Sequence, residues 1–352
     1  MASVKKLINA HKRANKRKAA ARYYNLNSLL GNDWAIFYCI TGARMTGKSY
    51  AVTDFLCRRK KRYGDKCKCY WMRISETSTK AMLANKADKL VDPDLKRKWK
   101  LDLSTKGNEV YDHDEPFMTV LPLSQFGKLK GVGFYDKDYD GEYNIVLDEF
   151  QLEKREKRTS FDILYNFIGM CENLVRTTKS KIRVFLMGNT LEEASTILKA
   201  FNFLPEQFGR FYLKRKRCVI DNIEPTNEYL NDRAGSIASI LGGDNMSNYT
   251  NEIKKDRELL FKGRLKHPTA IIKFGKEKDK WYTLWDGNII RRWNGQVLDI
   301  NSDICMIPYI NSYYSLERRN SIFEMFNARY FKFDSLITQA YFVEELAAIK
   351  KA

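Results

Sequence analysis

Residues 42 to 49, Gly-Ala-Arg-Met-Thr-Gly-Lys-Ser, satisfy every fixed position of the pattern G-x-x-x-x-G-K-[ST]. The pattern works only between a buried strand and a helix, so it constrains the fold around it. Both flanks fit. Trp34 to Ile40 is an apolar run of the kind a parallel strand needs, and Ser49 to Arg62 is helix-compatible. Glycines at 42 and 47 permit a tight turn in which successive backbone N–H groups face one phosphate. The helix start adds partial positive charge, Lys48 can reach the β- and γ-phosphates, and the Ser49 hydroxyl can take Mg2+. The stretch predicts an α/β fold with a mostly parallel sheet that binds ATP and Mg2+; the bland alternative is a chance Gly-rich turn before a helix.

A second half of such a site follows later in the chain. Tyr143-Asn-Ile-Val-Leu147 is an apolar strand that runs into Asp148 and Glu149. Asp148 would hold Mg2+ through its water shell, and Glu149 would orient and polarise the attacking water. Alone, an apolar run ending in two acids is common; after a complete phosphate loop it reads as the Walker B partner. Residues 161–178 have helical apolar spacing, and Ile182 to Met187 reads as a further core strand leading to Gly188 and Asn189. A polar side chain at that strand's C-terminal edge would sit beside the γ-phosphate, which makes Asn189 the sensor candidate. A simple helix N-cap is its other role.

Composition narrows the partner. Lys and Arg number 62 against 43 Asp and Glu, a formal charge of +19 over 352 residues. Such an excess fits a polyanion, nucleic acid before an anionic membrane surface. No apolar run approaches the roughly 18 residues a membrane span needs, and the basic N-terminus has no apolar stretch of a secretory signal. The seven cysteines, with Cys67 and Cys69 the only close pair, read as reduced core thiols.

Four segments are expected: a basic N-terminal extension at 1–30, a P-loop ATPase domain at 31–220, a linker or lid at 221–251, and a small α+β domain at 252–352. Within the second, residues 66–75 read as a strand ending in Arg73, 78–100 as helical, and 99–123 as a β-ribbon turning at Lys106-Gly-Asn108. Phe211 to Ile220 reads as its last strand. A short helical piece is expected near 237–241. In the fourth, strands are expected at 270–274, 281–285, 289–293 and 297–300, then helices at 315–328 and 334–350.

Together these marks resemble the genome-packaging ATPases of small phi-29-like tailed phages, over most of the chain from about residue 34. The marks are the loop Gly42 to Tyr50 in the form GARxxGKSY, and Asp148-Glu149-Phe150 with charged residues after it. Others are Arg176 ending the next helix, the strand ending at Asn189, and Tyr330-Phe-Lys-Phe-Asp334 before a last helix. The first 30 residues are longer and more basic than the family's. The resemblance implies an additional-strand P-loop ATPase that forms a homo-pentameric ring at the portal vertex of a procapsid, in the host cytoplasm, and drives double-stranded DNA inward. A scaffold RNA is a further partner to consider. It also implies an RNase H-like C-terminal domain descended from the terminase nuclease and inactive.

On that reading Gly42, Arg44, Thr46, Gly47, Lys48, Ser49 and Tyr50 hold the nucleotide, and Ser49 and Asp148 the metal. Lys48, Glu149, Asn189 and Arg176 are catalytic, Arg176 as an arginine finger offered to the neighbouring subunit. Arg176 also reads as a cation favoured at a helix C-terminus. Lys154, Arg155, Lys157 and Arg158 would line the pore and touch DNA phosphates, with Lys80 a weaker candidate. Glu153 and Glu156 interleave with them, so a solvated charged loop is the other reading. Asp286, Asp299, Asp303 and Asp334 are the acids a nuclease could use, but Asp286-Gly287 looks like a turn and Asp334 like an N-cap. The competing functions are a terminase-like ATPase with a metal-dependent nuclease, and a nucleotide-switched module that binds nucleic acid.

Overall fold

The computed structural model describes residues 23–130, 138–151, 161–175, 180–189, 195–236, 240, 257–275, 277–294, 305–306 and 316–351. The chain divides into two compact units, one of residues 1–201 and 207–253, the other of 202–206 and 254–352.

Among the described residues the first unit is a nine-stranded sheet. Its strands are β1 (Phe37–Thr41), β2 (Cys67–Arg73), β3 (Leu103–Lys106), β4 (Glu109–Asp112), β5 (Glu115–Pro122), β6 (Glu142–Asp148), β7 (Lys181–Gly188), β8 (Gly209–Leu213) and β9 (Cys218–Asn222). The spatial order is β3-β4-β5-β2-β6-β7-β1-β9-β8. The six strands from β5 to β9 in that order run parallel. The β3–β4 ribbon and β8 close the two edges antiparallel. Central parallel strands are covered on both faces, which is why β6 is buried at every residue, its polar Glu142 and Asn144 held by Arg59 and Arg183. Trp71, Tyr38 and Phe185 anchor the core; Tyr38 stacks on Phe185 at 5.5 Å and Phe55 meets it edge-on at 5.5 Å.

Register decides where the chemistry can occur. Thr41 lies opposite Gly188, Asp148 opposite Met187, and Leu147 opposite Met72. The loop after β1, the acids ending β6 and Arg73 at the end of β2 therefore share one sheet edge. Open α/β sheets bind ligands at that C-terminal edge. Between β1 and β6 lies β7.

Four sequence expectations need correction. The run 211–220 is not one strand: β8 ends at Leu213, a 3-10 turn spans Lys214–Lys216, and β9 starts at Cys218. Four consecutive cations cannot enter a buried strand without partners, so they form the tip of a hairpin instead. Residues 23–30 are not the end of a basic arm. That stretch has no charge, and Leu26 and Leu29 are buried in the core of the first unit; the cationic residues before it lie outside the described residues. The stretch after 220 is not all linker, since Asp221 and Asn222 finish β9. A helix, Asn227–Arg233, follows, capped by the Thr226 hydroxyl. Finally, 78–100 is not one helix: Glu76–Ala87 is kinked near its end, where Asn85, Lys86 and Ala87 take positive φ, and a separate helix spans Pro93–Trp99.

The second unit is a five-stranded sheet among the described residues: β10 (Pro268–Lys273), β11 (Trp281–Trp285), β12 (Ile289–Arg292), β13 (Cys305–Met306) and β14 (Lys332–Phe333), ordered β13-β10-β11-β12-β14. β10, β11 and β12 form an antiparallel meander, with β13 and β14 parallel to its two edges. Helices Leu316–Asn327 and Leu336–Lys351 complete it, and the Phe342 ring packs against Phe274, Tyr282, Phe331 and Phe333. The strand expected at 297–300 lies outside the described residues. Asp286 accepts backbone N–H bonds from Lys266 and His267, and Asp334 pairs with Arg291 at 3.5 Å. Asp299 and Asp303 are outside the described residues. Among those described, no group of three His, Cys, Asp or Glu is placed to hold a metal, and no helix is long and apolar enough to cross a membrane.

Candidate nucleotide-binding site

The loop between β1 and the helix Lys48–Tyr63 is held by its own atoms. Gly47 sits left-handed at φ 87°, where no Cβ is tolerated cheaply, and it starts the helix without any side-chain cap. The first helical N–H groups are thus left to face a ligand, and an anion is what they attract. Thr46 donates its hydroxyl to the Ala43 carbonyl at 3.0 Å. Lys48 folds its ammonium back onto the loop, donating to Gly42 O at 2.8 Å and Ala43 O at 2.7 Å. Burial lowers the Lys48 ammonium to about 8, against the opposing pull of Asp148 and Glu149. Arg44, Ser49 and Tyr50 are exposed at the loop and the helix start.

The acid pair stands across from it. Asp148 is the last residue of β6, and Glu149 turns away with a left-handed φ of 54°. Burial pushes the Asp148 carboxyl up to about 6; Arg73 and Lys48 oppose the rise and the charge of Glu149 adds to it. Arg73 grips both acids, one guanidinium nitrogen 2.8 Å from Asp148 and the other 2.8 Å from Glu149. A planar fork suits two carboxylates in this way. From the sequence Arg73 is legible only as a strand end. Its partnership depends on β2 lying beside β6, which no local motif encodes. Asn189 follows Gly188 at the end of β7, half-buried and on the same edge. The residues after Asn189 that would test its N-cap role are outside the described residues.

Two segments cover the loop, one from the expected N-terminal extension and one from the start of the expected linker or lid. Tyr24 N–H donates to Thr46 O at 2.9 Å, and the Tyr23 side chain packs so closely on Gly47 that a Cβ there would come within 3.1 Å of its ring. Tyr24 is fixed in turn by donating its hydroxyl to Asp221, which also takes Arg210. From the other side, Ile223 lies over Gly42, where a Cβ would meet it at 2.9 Å, and Ile223 N–H donates to Thr41 O. The buried Tyr229 donates its hydroxyl to Arg44 O at 2.7 Å. The only sequence signal was negative: an uncharged Tyr-Tyr pair directly after a basic run.

Lys80 is not at this site; it is exposed and pairs with Glu76 one helical turn away at 2.8 Å. Arg176, Lys154, Arg155, Lys157 and Arg158 lie outside the described residues. What the structure brings together is a buried cation, a buried carboxylate, a second acid and an uncapped helix start. That donor set fits a Mg2+-bound triphosphate: Lys48 rests on neutral carbonyls that phosphate oxygens would replace, and Asp148 shares Arg73 with Glu149, leaving carboxylate charge for a divalent cation.

The family described as Podovirus DNA encapsidation protein (Gp16) matches residues 18–274, well over half of the 352. The bacteriophage Phi-29 viral genome packaging motor assembly contains a similar chain, 18% identical with a TM-score of 0.59, covering 93% of this chain and 98% of that one. The Phi-28 gp11 DNA packaging motor is similar at 15% identity and a TM-score of 0.59, covering 92% and 98%. At these identities the likeness is one of fold. Among curated protein sequences none matches. The chain belongs to the Podovirus DNA encapsidation protein (Gp16) family.

Proposed function

We propose that this chain is an ATP-driven motor that moves double-stranded viral DNA into a procapsid, acting as a homo-oligomeric ring, a pentamer by resemblance, at the portal. The observation that supports it most is the convergence of Lys48, Asp148, Glu149 and Arg73 at one sheet edge beside an uncapped helix start, in a chain of a DNA encapsidation family. Ser49 and Asp148 would hold Mg2+, and the metal would neutralise charge on the β- and γ-phosphates. Lys48 leaves the Gly42 and Ala43 carbonyls to meet phosphate oxygens. Glu149 must leave Arg73 to orient water, so the grip of Arg73 describes a site held inactive. Asn189 would sense the γ-phosphate, and Arg176 would serve a neighbour's site. The loop carrying Lys154, Arg155, Lys157 and Arg158 would touch DNA phosphates. Relationship of the second unit to an RNase H fold rests on the resemblance; in its support the meander has a parallel strand, β13, beside its first strand.

The test is steady-state ATP hydrolysis with and without double-stranded DNA, on the wild type, on Arg176→Ala, and on mixtures of Arg176→Ala with Glu149→Gln. DNA should stimulate turnover, and the mixture should recover activity that neither variant shows alone, because the finger and the water-orienting acid would come from different subunits. A rate indifferent to DNA, with no recovery in the mixture, would overturn the ring motor in favour of a nucleotide-switched binder.

A further inference from the structure

The tip of the β8–β9 hairpin has a construction that the nucleotide site does not use. Lys214, Arg215, Lys216 and Arg217 follow one another there and all four are exposed. Acids in the neighbourhood are engaged elsewhere: Asp33 pairs with Lys181 at 3.3 Å and Asp221 with Arg210 at 2.8 Å. Four like charges in one turn repel each other. Arg217 adds backbone strain, because it holds φ 48°, a conformation that Gly or Asn reaches more cheaply in a turn. Both costs fall on the same four residues, and among the described residues none of the four is ion-paired with an acid.

The cations are nevertheless positioned. The Lys214 ammonium stands 3.8 Å from the centre of the Trp34 ring, and Arg217 Nε donates to the Trp34 carbonyl at 3.3 Å. Trp34 and Tyr212 lie 6.4 Å apart, and Tyr212 is 51% exposed. Ring and carbonyl partners fix these side chains while leaving their net charge intact, unlike the carboxylate partners used elsewhere on this surface. The tip also stands apart from the triphosphate site. Phe37 at the start of β1 is opposite Cys218, whereas the loop leaves from Thr41 opposite Asn222. The four steps from Phe37 to Thr41, at about 3.3 Å each, separate the two by about 13 Å.

We propose that this tip is a nucleic-acid backbone site, in which Lys214, Arg215 and Lys216 neutralise phosphates and Tyr212 packs against a sugar or an unpaired base. Cations interleaved with an exposed aromatic ring are the chemistry that tracks a sugar-phosphate chain, and phosphate contacts carry no base information, so binding is independent of sequence. DNA and RNA share this backbone, and the experiment separates them.

The full-length chain is titrated by fluorescence anisotropy with a labelled duplex DNA of random sequence and, separately, with a labelled RNA stem-loop, between 50 and 200 mM salt. Wild type is compared with the triple variant Lys214→Gln, Arg215→Gln, Lys216→Gln. Each lost phosphate contact on duplex DNA removes about 0.9 from the slope of log K against log salt. Three lost contacts therefore remove about 40-fold of the wild type's affinity change over that fourfold salt range. Loss on the DNA arm alone assigns duplex DNA, loss on the RNA arm alone assigns RNA, and loss on both assigns the shared backbone. Unchanged slopes on both arms overturn the proposal and leave the tip a solvated turn. A second variant, Tyr212→p-benzoylphenylalanine, leaves every cation in place and should crosslink to the bound nucleic acid on irradiation; no crosslink on either arm also overturns it.

Discussion

Replacing Asp148 by asparagine should make the nucleotide-free protein more stable while abolishing turnover. Asp148 is only 7% exposed, and burial raises its carboxyl from the ordinary 3.8 to about 6. A carboxyl whose folded value is raised binds its proton more tightly in the folded state than in the unfolded one. Its cost is absent below pH 4, grows between pH 4 and 6, and is fully present at pH 7. Two pH units at about 1.4 kcal/mol each give a cost of about 3 kcal/mol at pH 7. That figure already includes the help of Arg73 and Lys48, because both hold the carboxyl down.

Asparagine keeps the shape and a carbonyl for Arg73 but never ionises, so Asp148→Asn should recover about 2 to 3 kcal/mol at pH 7. For a unit of this size each kcal/mol raises Tm by about 2–4 °C. The assay is thermal unfolding followed by circular dichroism, without nucleotide, at pH 7 and pH 4.5. At pH 7 the variant should melt several degrees above wild type; at pH 4.5, where the cost has fallen to about 1 kcal/mol, the gap should shrink to about a third. A variant less stable than wild type at pH 7, or a gain of the same size at both pH values, would refute the reasoning, since neither can come from ionisation of a buried acid.

Three further substitutions probe the contacts around the loop. Arg73→Ala removes the guanidinium that holds Asp148 down, so the carboxyl should rise further above 6 and Mg2+-dependent nucleotide binding at pH 7 should weaken, about twofold for the first added pH unit and toward tenfold for each unit beyond it; calorimetric titration reads this, and unchanged binding would detach Arg73 from the acids. Tyr229→Phe deletes the hydroxyl that donates to Arg44 O and should cost about 1 kcal/mol, seen as a Tm loss of about 2–4 °C. Gly42→Ala places a methyl 2.9 Å from Ile223 Cβ and should destabilise by about 1–3 kcal/mol; in an Ile223→Gly background, itself less stable, the same substitution should cost much less, measured by chemical unfolding as a double-mutant cycle.

What could be read from the sequence was local. Gly42 to Ser49 is legible because a phosphate loop is a contiguous piece of backbone, and Asp148-Glu149 because a buried strand must end where its acids begin. Arg73 was visible as a strand end and nothing more, since its role appears only once β2 is known to lie beside β6. Tyr23, Tyr24, Ile223 and Tyr229 were invisible for the same reason: each reaches the loop from a different part of the chain, and tyrosine is as ordinary in a core as over a ligand. The hairpin tip was misread because Phe211-Tyr-Leu213 and Cys218-Val-Ile220 are both good strand sequences. The four cations between them carry no glycine, asparagine or proline to announce a turn.

The loop and the acids are also linked by a shared penalty. Lys48, lowered to about 8, stays charged below that value, and Asp148, raised to about 6, is charged above it. Between pH 6 and 8 both charges are therefore present in the nucleotide-free site, and each is disfavoured by burial. For Lys48 the sign is opposite to that of Asp148: its cost is present below pH 8 and disappears as pH rises toward 10.5. A ligand that is anionic at one end and carries a divalent cation relieves both at once. A free phosphate would relieve only Lys48, and a free cation only Asp148. The Arg73 fork on Asp148 and Glu149, and the carbonyls of Gly42 and Ala43 around Lys48, are the partial substitutes that keep the site folded until such a ligand arrives. On the proposed function, the residues that weaken the nucleotide-free protein are therefore the same ones that would favour a metal-bound triphosphate.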